Sequence, residues 1–185
     1  MKIINNMCMS NNDLILVDIF DNEIGRISKE KAHSQPMLHR AFSVFLYDKN
    51  KLLIQQRAFS KYHSGGLWAN TCCSHPRTND VLADAKQRLK EEVNISCDNL
   101  TELFTFTYLT KFNDNLYEYE YDHVILGHFD SNTKIELNKE EVNDIQWVDI
   151  DTLSLDLVNN PQKYSSWFLI CSPKVIKYIK ETLNI

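Results

Sequence analysis

The chain has 185 residues, of which 43% are hydrophobic, and this size and composition predict one globular domain over residues 1–185. Its net charge of −5 and pI near 5.7 show no overall excess of positive charge, so we expect neither nucleic acid nor an anionic membrane surface as a partner. Five cysteines, an odd number, make a poor disulfide framework, which favours reduced thiols. Without a recognisable targeting signal or a membrane-spanning segment, a cytoplasmic location is expected.

Apolar patterning predicts two β-hairpins early in the chain. In the first hairpin, a polar turn separates strands over residues 14–20 and 24–27. In the second, a turn at residues 48–50 separates strands over residues 41–47 and 52–56. The second pair is so rich in apolar residues that we expect both strands to be buried on both faces, at the centre of a sheet.

The spacing of apolar residues becomes helical over residues 82–93, behind the capping candidates Asn79 and Asp80. Strand-like patterns rich in aromatic and β-branched residues then return in four segments, residues 103–109, 117–123, 124–129 and 145–148.

A last amphipathic helix is predicted over about residues 173–183, starting at Ser172-Pro173. Helices and strands in this order predict an α/β fold, a sandwich with a mixed β-sheet whose core spans about residues 29–170.

A Tyr-Glu-Tyr-Glu-Tyr segment would place Glu118 and Glu120 on one face of a strand. Such a pair in isolation is most often a solvent-facing acidic edge. Here the chain also offers the imidazoles of His33, His39 and His75. Three imidazoles and two carboxylates would suit a borderline divalent ion such as Zn²⁺ or Mn²⁺. A structural zinc site is less expected, because such a site prefers four tetrahedral ligands.

Residues 68–76 read Trp-Ala-Asn-Thr-Cys-Cys-Ser-His-Pro and place a thiol two residues from the His75 imidazole. Taken singly, a cysteine is usually a small buried hydrophobe and a histidine a hydrogen-bonded structural residue. A cysteine with a perturbed pKa can nevertheless exchange protons near neutrality without a metal. The residues alone leave open whether Cys72 or Cys73 does so. Three further cysteines are predicted to be structural, Cys8, Cys97 and Cys171.

Several basic residues could bind an anionic substrate, namely Lys29, Arg57, Lys61 and Arg88. Arg88 and Glu92 are spaced as an i, i+4 pair, which most often forms a solvated salt bridge on a helix surface. If the pair faces a pocket instead, the arginine can bind phosphate oxygens while the glutamate holds a Mg²⁺ ion that bridges them.

The segments His-Arg-Ala-Phe-Ser-Val-Phe-Leu, Trp-Ala-Asn-Thr-Cys-Cys-Ser-His-Pro and Tyr-Glu-Tyr-Glu occur in that order between about Lys29 and Trp167, and together resemble type 1 isopentenyl-diphosphate isomerases. The resemblance implies a Nudix-like α/β/α sandwich and the interconversion of isopentenyl and dimethylallyl diphosphate through a carbocation, which feeds isoprenoid biosynthesis. It designates Cys73 and Glu120 as the proton carriers, and Tyr108 as a catalytic-site tyrosine bonded to that glutamate.

The resemblance also implies binding roles. The expected ligands of one Zn²⁺ or Mn²⁺ ion, or Mg²⁺, are His33, His39, His75, Glu118 and Glu120. Glu92 would hold a second ion, the Mg²⁺ carried with the diphosphate. Matches to the family's diphosphate contacts are Lys29, Arg57, Lys61 and Arg88, and Trp167 matches an aromatic residue near the isoprenoid tail. A monomer or weak homodimer is expected.

The chain departs from the family pattern at Gly65-Gly66, where Pro-Gly is usual, and at Asn94, where Gly is usual. Asn94 is compatible with the left-handed conformation at a helix C-terminus, so we expect it to replace the glycine.

Two other functions compete with the isomerase. A Nudix-type hydrolase of a nucleoside diphosphate derivative needs Arg-Glu-x-x-Glu-Glu, whereas residues 88–93 read Arg-Leu-Lys-Glu-Glu-Val and keep one carboxylate in register. A non-catalytic binding module would use Cys72, Cys73 and His75 as ligands of a structural metal ion.

Overall fold

The computed structural model describes residues 13–184, which form a mixed sheet with helices. The elements in chain order are β1 (Leu14–Val17), β2 (Glu23–Ile27), α1 (Lys29–Ser34), β3 (His39–Asp48), β4 (Lys51–Arg57), β5 (Trp68–Ala69), β6 (Cys72–Ser74), α2 (Val81–Val93), β7 (Thr101–Asn113), β8 (Leu116–His128), β9 (Val142–Asp149), α3 (Ile150–Asn159) and α4 (Ser166–Leu183), with a 3₁₀ turn at Pro161–Lys163 before α4.

Strand β3 lies at the centre of the sheet. It pairs in parallel with β8 from His39 to Tyr47, and antiparallel with β1, β4 and β6. Its residues are buried except for the half-buried Tyr47, and Leu52–Gln55 of β4 are buried too. The prediction of central strands buried on both faces is therefore confirmed, and so is the mixed character of the sheet.

Helices cover both faces of the sheet. Helices α3 and α4 pack on one face, where Phe168 stacks against Phe45 with ring centroids 5.8 Å apart. Helix α2 packs on the other face through Leu89 and Val93, against Val44 and its neighbours. This arrangement confirms the predicted α/β/α sandwich.

The two ends of α2 are formed by the residues that the sequence indicates. The Asp80 carboxylate accepts a hydrogen bond from the Ala83 backbone N–H at 3.0 Å, the usual N-cap contact. At the other end Asn94 adopts φ 53° and ψ 32°, the left-handed conformation expected for a residue in place of glycine.

The predicted division of residues 117–129 into two strands is wrong, because β8 is continuous. Its parallel pairing with β3 runs without interruption from Glu120 to His128. On the opposite edge the long β7 strand pairs with β8 from Thr101 to Asn113. Glu118 and Glu120 are buried on the same face, while the intervening tyrosines are half-buried, as the two-residue period predicts.

The predicted start of the last helix at residue 173 is also wrong. Helix α4 spans Ser166–Leu183 and contains Pro173 in its interior. An interior proline removes one helical hydrogen bond and crowds the preceding turn, which usually ends a helix. Here Trp167 and Phe168 before the proline and Val175 after it are all buried. Packing of this stripe therefore outweighs the local disruption.

Three further differences lie at smaller elements. The first predicted strand ends at Val17 rather than residue 20, because the Asp18 carboxylate accepts the Phe20 and Asn22 backbone N–H groups and forms a turn. Helix α1, which is short, and helix α3 were not predicted from the apolar pattern. The start of α3 is capped by Asp149, which accepts two backbone N–H groups at 3.0 Å.

Cys97 and Cys171 are buried, unpaired thiols, as predicted, whereas Cys8 lies outside the described residues. Within residues 13–184, the helices are all too short or too polar to cross a membrane.

Close packing around Gly127 yields a test of the core. Gly127→Ala is expected to lower the free energy of unfolding by about 1–3 kcal/mol, because overpacked cores lose stability on this scale. The added methyl group would lie 2.7 Å from Leu100 Cδ2 and 2.9 Å from Cys97 Sγ. Urea unfolding measures the change. Leu155→Ala, at a position 66% exposed on α3, is the control and should shift stability by less than about 0.5 kcal/mol. Equal stability of the two variants would contradict this packing.

Candidate active site

A cavity of about 340 Å³ collects charged and aromatic side chains from both halves of the chain. Eleven of the thirteen predicted site residues line it: Lys29, Arg57, Lys61, Cys73, His75, Arg88, Glu92, Tyr108, Glu118, Glu120 and Trp167. The other two, His33 and His39, are buried against His75, with ring centroids 5.7 Å and 5.0 Å from it. The fold thus brings all the predicted residues together.

Three imidazoles converge on one carboxylate. His75 Nε2 lies 2.9 Å from Glu120 Oε1, and His39 Nε2 lies 3.7 Å from the same oxygen. His33 Nε2 lies 3.4 Å from His39 Nε2. One ligand atom from each of the four residues lies within 4.8 Å of all the others, a spacing that suits a single metal ion.

The orientation of the His39 ring is set by the backbone. Its Nδ1 lies 2.8 Å from the carbonyl oxygen of Met37. Because a carbonyl can only accept a hydrogen bond, Nδ1 carries the proton and Nε2 presents its lone pair to the cluster. This is the tautomer that a metal ion bound at Nε2 requires.

Burial and neighbouring charges favour the ligand forms of these groups. Burial, helped by the nearby His75 and His39 rings, lowers the pKa of His33 to about 3. Burial also lowers the pKa of His75 to about 4. Although burial opposes ionisation of Glu120, its His39 and His75 neighbours hold the pKa of that carboxyl well below its usual range. Neutral imidazoles and an ionised carboxylate fit a divalent ion.

Glu118 lies beside this four-residue cluster and is held by other partners. Its Oε1 lies 3.1 Å from His63 Nε2, and its Oε2 lies 3.1 Å from the Tyr108 hydroxyl. That hydroxyl also donates to Glu120 Oε2 at 2.6 Å. Tyr108 therefore links the two carboxylates, and Glu118 lies outside the group of four residues whose ligand atoms are within 4.8 Å of one another.

Of the two adjacent cysteines, Cys73 faces the cavity and Cys72 packs in the core beneath α2. Arg57 Nη1 lies 3.4 Å from Cys73 Sγ. Burial raises the pKa of the Cys73 thiol to about 12 even though the Arg57 guanidinium opposes this shift. The thiol consequently keeps its proton at neutral pH.

Basic side chains also line the cavity. Arg57 lies with its Cζ 5.2 Å from the centroid of the Trp167 ring. Among the described residues, the buried Nε atoms of Arg57 and Arg88 have no hydrogen-bond partner. Buried guanidinium nitrogens of this kind favour an anionic ligand such as a phosphate group.

Arg88 and Glu92 face the cavity rather than solvent. Arg88 Nη2 donates to Glu92 Oε1 at 2.6 Å, and the Glu92 side chain is buried. Burial raises the pKa of this carboxyl although the Arg88 charge opposes the shift. The surface salt-bridge interpretation of this pair is therefore excluded.

The chain matches the NUDIX domain family model over residues 37–168. An isopentenyl-diphosphate Delta-isomerase of Aromatoleum aromaticum is 47% identical over 165 residues, which cover 88% of this chain and 86% of the relative. One from Serratia proteamaculans is 48% identical over 158 residues, covering 84% and 87%. The chain belongs to the isopentenyl-diphosphate Delta-isomerases of the NUDIX domain family.

Solved structures share its architecture. The crystal structure of DR0079 from Deinococcus radiodurans superposes with a TM-score of 0.69 at 17% identity, covering 90% of this chain and 98% of that one. A Nudix hydrolase from M. smegmatis, RenU, has a TM-score of 0.57 at 14% identity, covering 91% and 95%. At such identities the likeness establishes the Nudix fold alone.

Four titratable residues that were not among the predicted site residues also line the cavity: Tyr62, His63, Asp122 and Glu141. Asp122 continues the two-residue period of Glu118 and Glu120, so the signal for it was present in the sequence. It accepts a hydrogen bond from Ser43 Oγ at 2.8 Å, and burial raises its pKa well above the usual range. Glu141 contacts Lys61 and Arg88, which no local pattern indicates.

The neutral imidazoles predict how stability depends on pH. In the metal-free protein, stability should fall as pH falls from 6.5 towards about 4, because His33 and His75 have folded-state pKa values of about 3 and 4 and an ordinary value of 6.5. The unfolded chain takes up protons in this window that the folded chain does not. Urea unfolding in a chelator measures the slope. His33→Gln and His75→Gln should each flatten it, and an unchanged slope in both would contradict the assignment.

Proposed function

We propose that this protein interconverts isopentenyl diphosphate and dimethylallyl diphosphate, the activity named in its relatives. One observation carries the proposal: a protonated thiol, Cys73, and an ionised carboxylate, Glu120, line the same cavity. Moving a double bond requires a proton to be added at one carbon and another removed from a second carbon. A proton donor and a proton acceptor in one cavity supply both functions.

Tyr108 supports this exchange through its 2.6 Å hydrogen bond to Glu120. The hydroxyl orients the carboxylate and offers a route by which a proton can be redistributed after each turnover. Tyr108 lies on β7 directly opposite Glu120 of β8, and this strand pairing fixes the hydroxyl relative to the carboxylate.

The reaction proceeds through a tertiary carbocation, which must be stabilised and kept from water. Trp167 is almost fully buried, and its Nε1 donates to Asn70 Oδ1 at 3.0 Å, so its ring plane is fixed. An aromatic face attracts a cation by roughly 0.5–2 kcal/mol, more strongly when desolvated. Trp167 and Tyr108, with the Glu120 carboxylate, are the groups we propose for this stabilisation.

The basic side chains of the cavity would bind the diphosphate. Arg57 and Arg88 offer unpaired Nε–H groups, and Lys61 and Lys29 add positive charge. We assign Glu92 to a Mg²⁺ ion carried with the diphosphate, because a buried carboxylate beside phosphate oxygens is a usual Mg²⁺ ligand. Arg88 would then exchange part of its contact with Glu92 for phosphate oxygens.

A second divalent ion would be held by His33, His39, His75 and Glu120, with Glu118 as the additional oxygen donor. Nitrogen-rich donor sets of this kind suit Zn²⁺ or Mn²⁺, with Mg²⁺ as the harder alternative. When bound, the ion would orient Glu120 and alter its acidity.

We further propose that residues 1–185 act as a single cytoplasmic domain, as a monomer or weak homodimer. Its partner would be the small-molecule substrate rather than nucleic acid or a membrane. The net charge of −5 supports this, because a chain with more acidic than basic residues has no overall excess of positive charge to attract nucleic acid or an anionic membrane surface.

The structural observations weigh against both competing functions. A Nudix hydrolase gathers several carboxylates of its helix around Mg²⁺, whereas Glu91 of α2 bonds to Gln87 and Arg88 at the protein surface. A structural metal site using both cysteines would need Cys72 to face His75. Among the described residues, the group that could hold an ion contains three histidines and Glu120 and no cysteine.

Proton NMR in deuterated buffer with Mg²⁺ tests the proposal. Isopentenyl diphosphate should be converted to dimethylallyl diphosphate with incorporation of deuterium. Cys73→Ala and Glu120→Gln should each lower turnover by about 10²–10⁴-fold, the usual contribution of a general acid or base.

Matched controls are Cys97→Ala and Glu102→Gln, because both residues lie outside the cavity lining. They should retain turnover. Phosphate release from a nucleoside diphosphate derivative, without any deuterium exchange, would overturn the isomerase in favour of the hydrolase.

A further inference from the structure

Two consecutive residues of the loop between β4 and β5, Tyr62 and His63, contact side chains that belong to the proposed metal site. Tyr62 reaches His33, and His63 reaches Glu118. We propose that Tyr62 and His63 are positioning residues that orient these two side chains for the divalent ion. The inference rests on the proposed metal site and assigns roles to two residues that do not themselves bind the ion.

The Tyr62 contact determines how His33 can bind. The Tyr62 hydroxyl oxygen lies 2.5 Å from His33 Nδ1. To bind an ion through Nε2, His33 must carry its proton on Nδ1, and the Tyr62 oxygen is placed to accept that proton in a hydrogen bond. The Met37 carbonyl serves His39 in the same way, at 2.8 Å. The Tyr62 side chain therefore orients His33 in the same way as the Met37 backbone carbonyl orients His39.

The two rings are also held in place relative to each other. Tyr62 and His33 stack with centroids 5.8 Å apart and an interplanar angle of 24°. The Lys29 ammonium group lies 5.1 Å from the centroid of the Tyr62 ring. Tyr62→Phe would keep the contacts of the aromatic ring with His33 and Lys29 and would remove only the hydroxyl group that accepts the hydrogen bond.

The His63 contact acts on Glu118. His63 Nε2 lies 3.1 Å from Glu118 Oε1, and an ionised carboxylate can only accept, so Nε2 carries a proton and is a donor rather than a metal ligand. The Ser64 hydroxyl lies 3.3 Å from Nδ1 on the other side of the ring. With Tyr108 bonded to its second oxygen, Glu118 is held beside the four-residue cluster from both sides.

Packing fixes the His63 ring itself. It stacks on Phe112 with centroids 4.6 Å apart and an interplanar angle of 24°, and meets Trp167 edge-on at 6.2 Å. The side chain is almost fully buried. A buried imidazole that stacks on one ring and donates to one carboxylate has little freedom to leave Glu118.

The loop that carries both residues has a defined backbone. Gly66 N–H donates to the Arg57 carbonyl at 3.1 Å, and Arg57 N–H donates to the Leu67 carbonyl at 3.0 Å. Gly66 adopts φ +77°, and a Cβ there would lie 2.6 Å from the Phe59 ring. Arg57 directly precedes this loop and Lys61 lies in it, so the loop carries side chains next to both the proposed diphosphate contacts and the proposed metal site.

Zn²⁺ affinity of the purified full-length protein, measured without substrate by competition with a chromophoric chelator, tests this inference. Tyr62→Phe and His63→Leu should each weaken binding by about 10–100-fold, the usual effect of removing a partner behind a metal ligand. His63→Gln should recover most of the loss, because its amide N–H₂ can donate to Glu118 from nearly the same position. Urea unfolding of the metal-free variants shows whether they fold as the wild type does.

Tyr178→Phe and His128→Leu are matched controls on the surface of α4 and at the end of β8, and they should bind Zn²⁺ as the wild type does. Wild-type affinity in Tyr62→Phe and His63→Leu would overturn the positioning role, as would a His63→Gln variant as weak as His63→Leu. If the wild type bound no Zn²⁺, the metal site and this inference would both be wrong. The isomerase proposal would still be tested separately, by measuring the turnover of isopentenyl diphosphate.

Discussion

The parallel pairing of β3 with β8 is the constraint on which the site depends. In this register His39 lies opposite Glu120, at the end of an uninterrupted run of paired residues. A slip of one residue would turn every β8 side chain to the other face and would move Glu118 and Glu120 away from the histidines. The nearly complete burial of β3 makes such a slip costly, because apolar side chains on both faces would lose their contacts. Core packing and the geometry of the histidine–glutamate cluster are thus set by the same strand pair.

Burial then gives each titratable group its chemical state. Carboxylates and guanidinium groups line the same cavity, and charges removed from water must be paired with each other or with a ligand. Arg88 and Lys61 meet this need through Glu92 and Glu141. Burial raises the pKa of the Cys73 thiol, which remains protonated, whereas the neighbouring His39 and His75 lower the pKa of Glu120, which remains ionised. These shifts widen the separation that the ordinary pKa values of a thiol and a carboxyl already give, so at neutral pH the cavity holds a protonated thiol and an ionised carboxylate.

The parts of the fold that follow a local period were predictable from the sequence. Helix α2, its Asp80 and Asn94 caps and the two-residue alternation at Glu118 and Glu120 depend on side chains close in the chain. The continuity of α4 through Pro173 was not predictable in the same way, because it depends on packing against the sheet. The gathering of the thirteen site residues was expected from the family resemblance, whereas their geometry required the structure. Tyr62 and His63 carry no local signal, since their partners lie 29 and 55 positions away in the chain.

The central claim is that one divalent ion is bound by three imidazoles and by Glu120. The Cys73 thiol does not bind this ion and remains available for proton exchange. X-ray absorption spectroscopy of the Zn²⁺-loaded protein tests this most directly. The account predicts nitrogen and oxygen neighbours at about 2.0–2.2 Å from zinc, fitted with three imidazoles and at least one carboxylate. A sulfur neighbour at about 2.3 Å would contradict it, because a cysteine bound to the ion would not be free to exchange protons and would indicate a structural metal site instead.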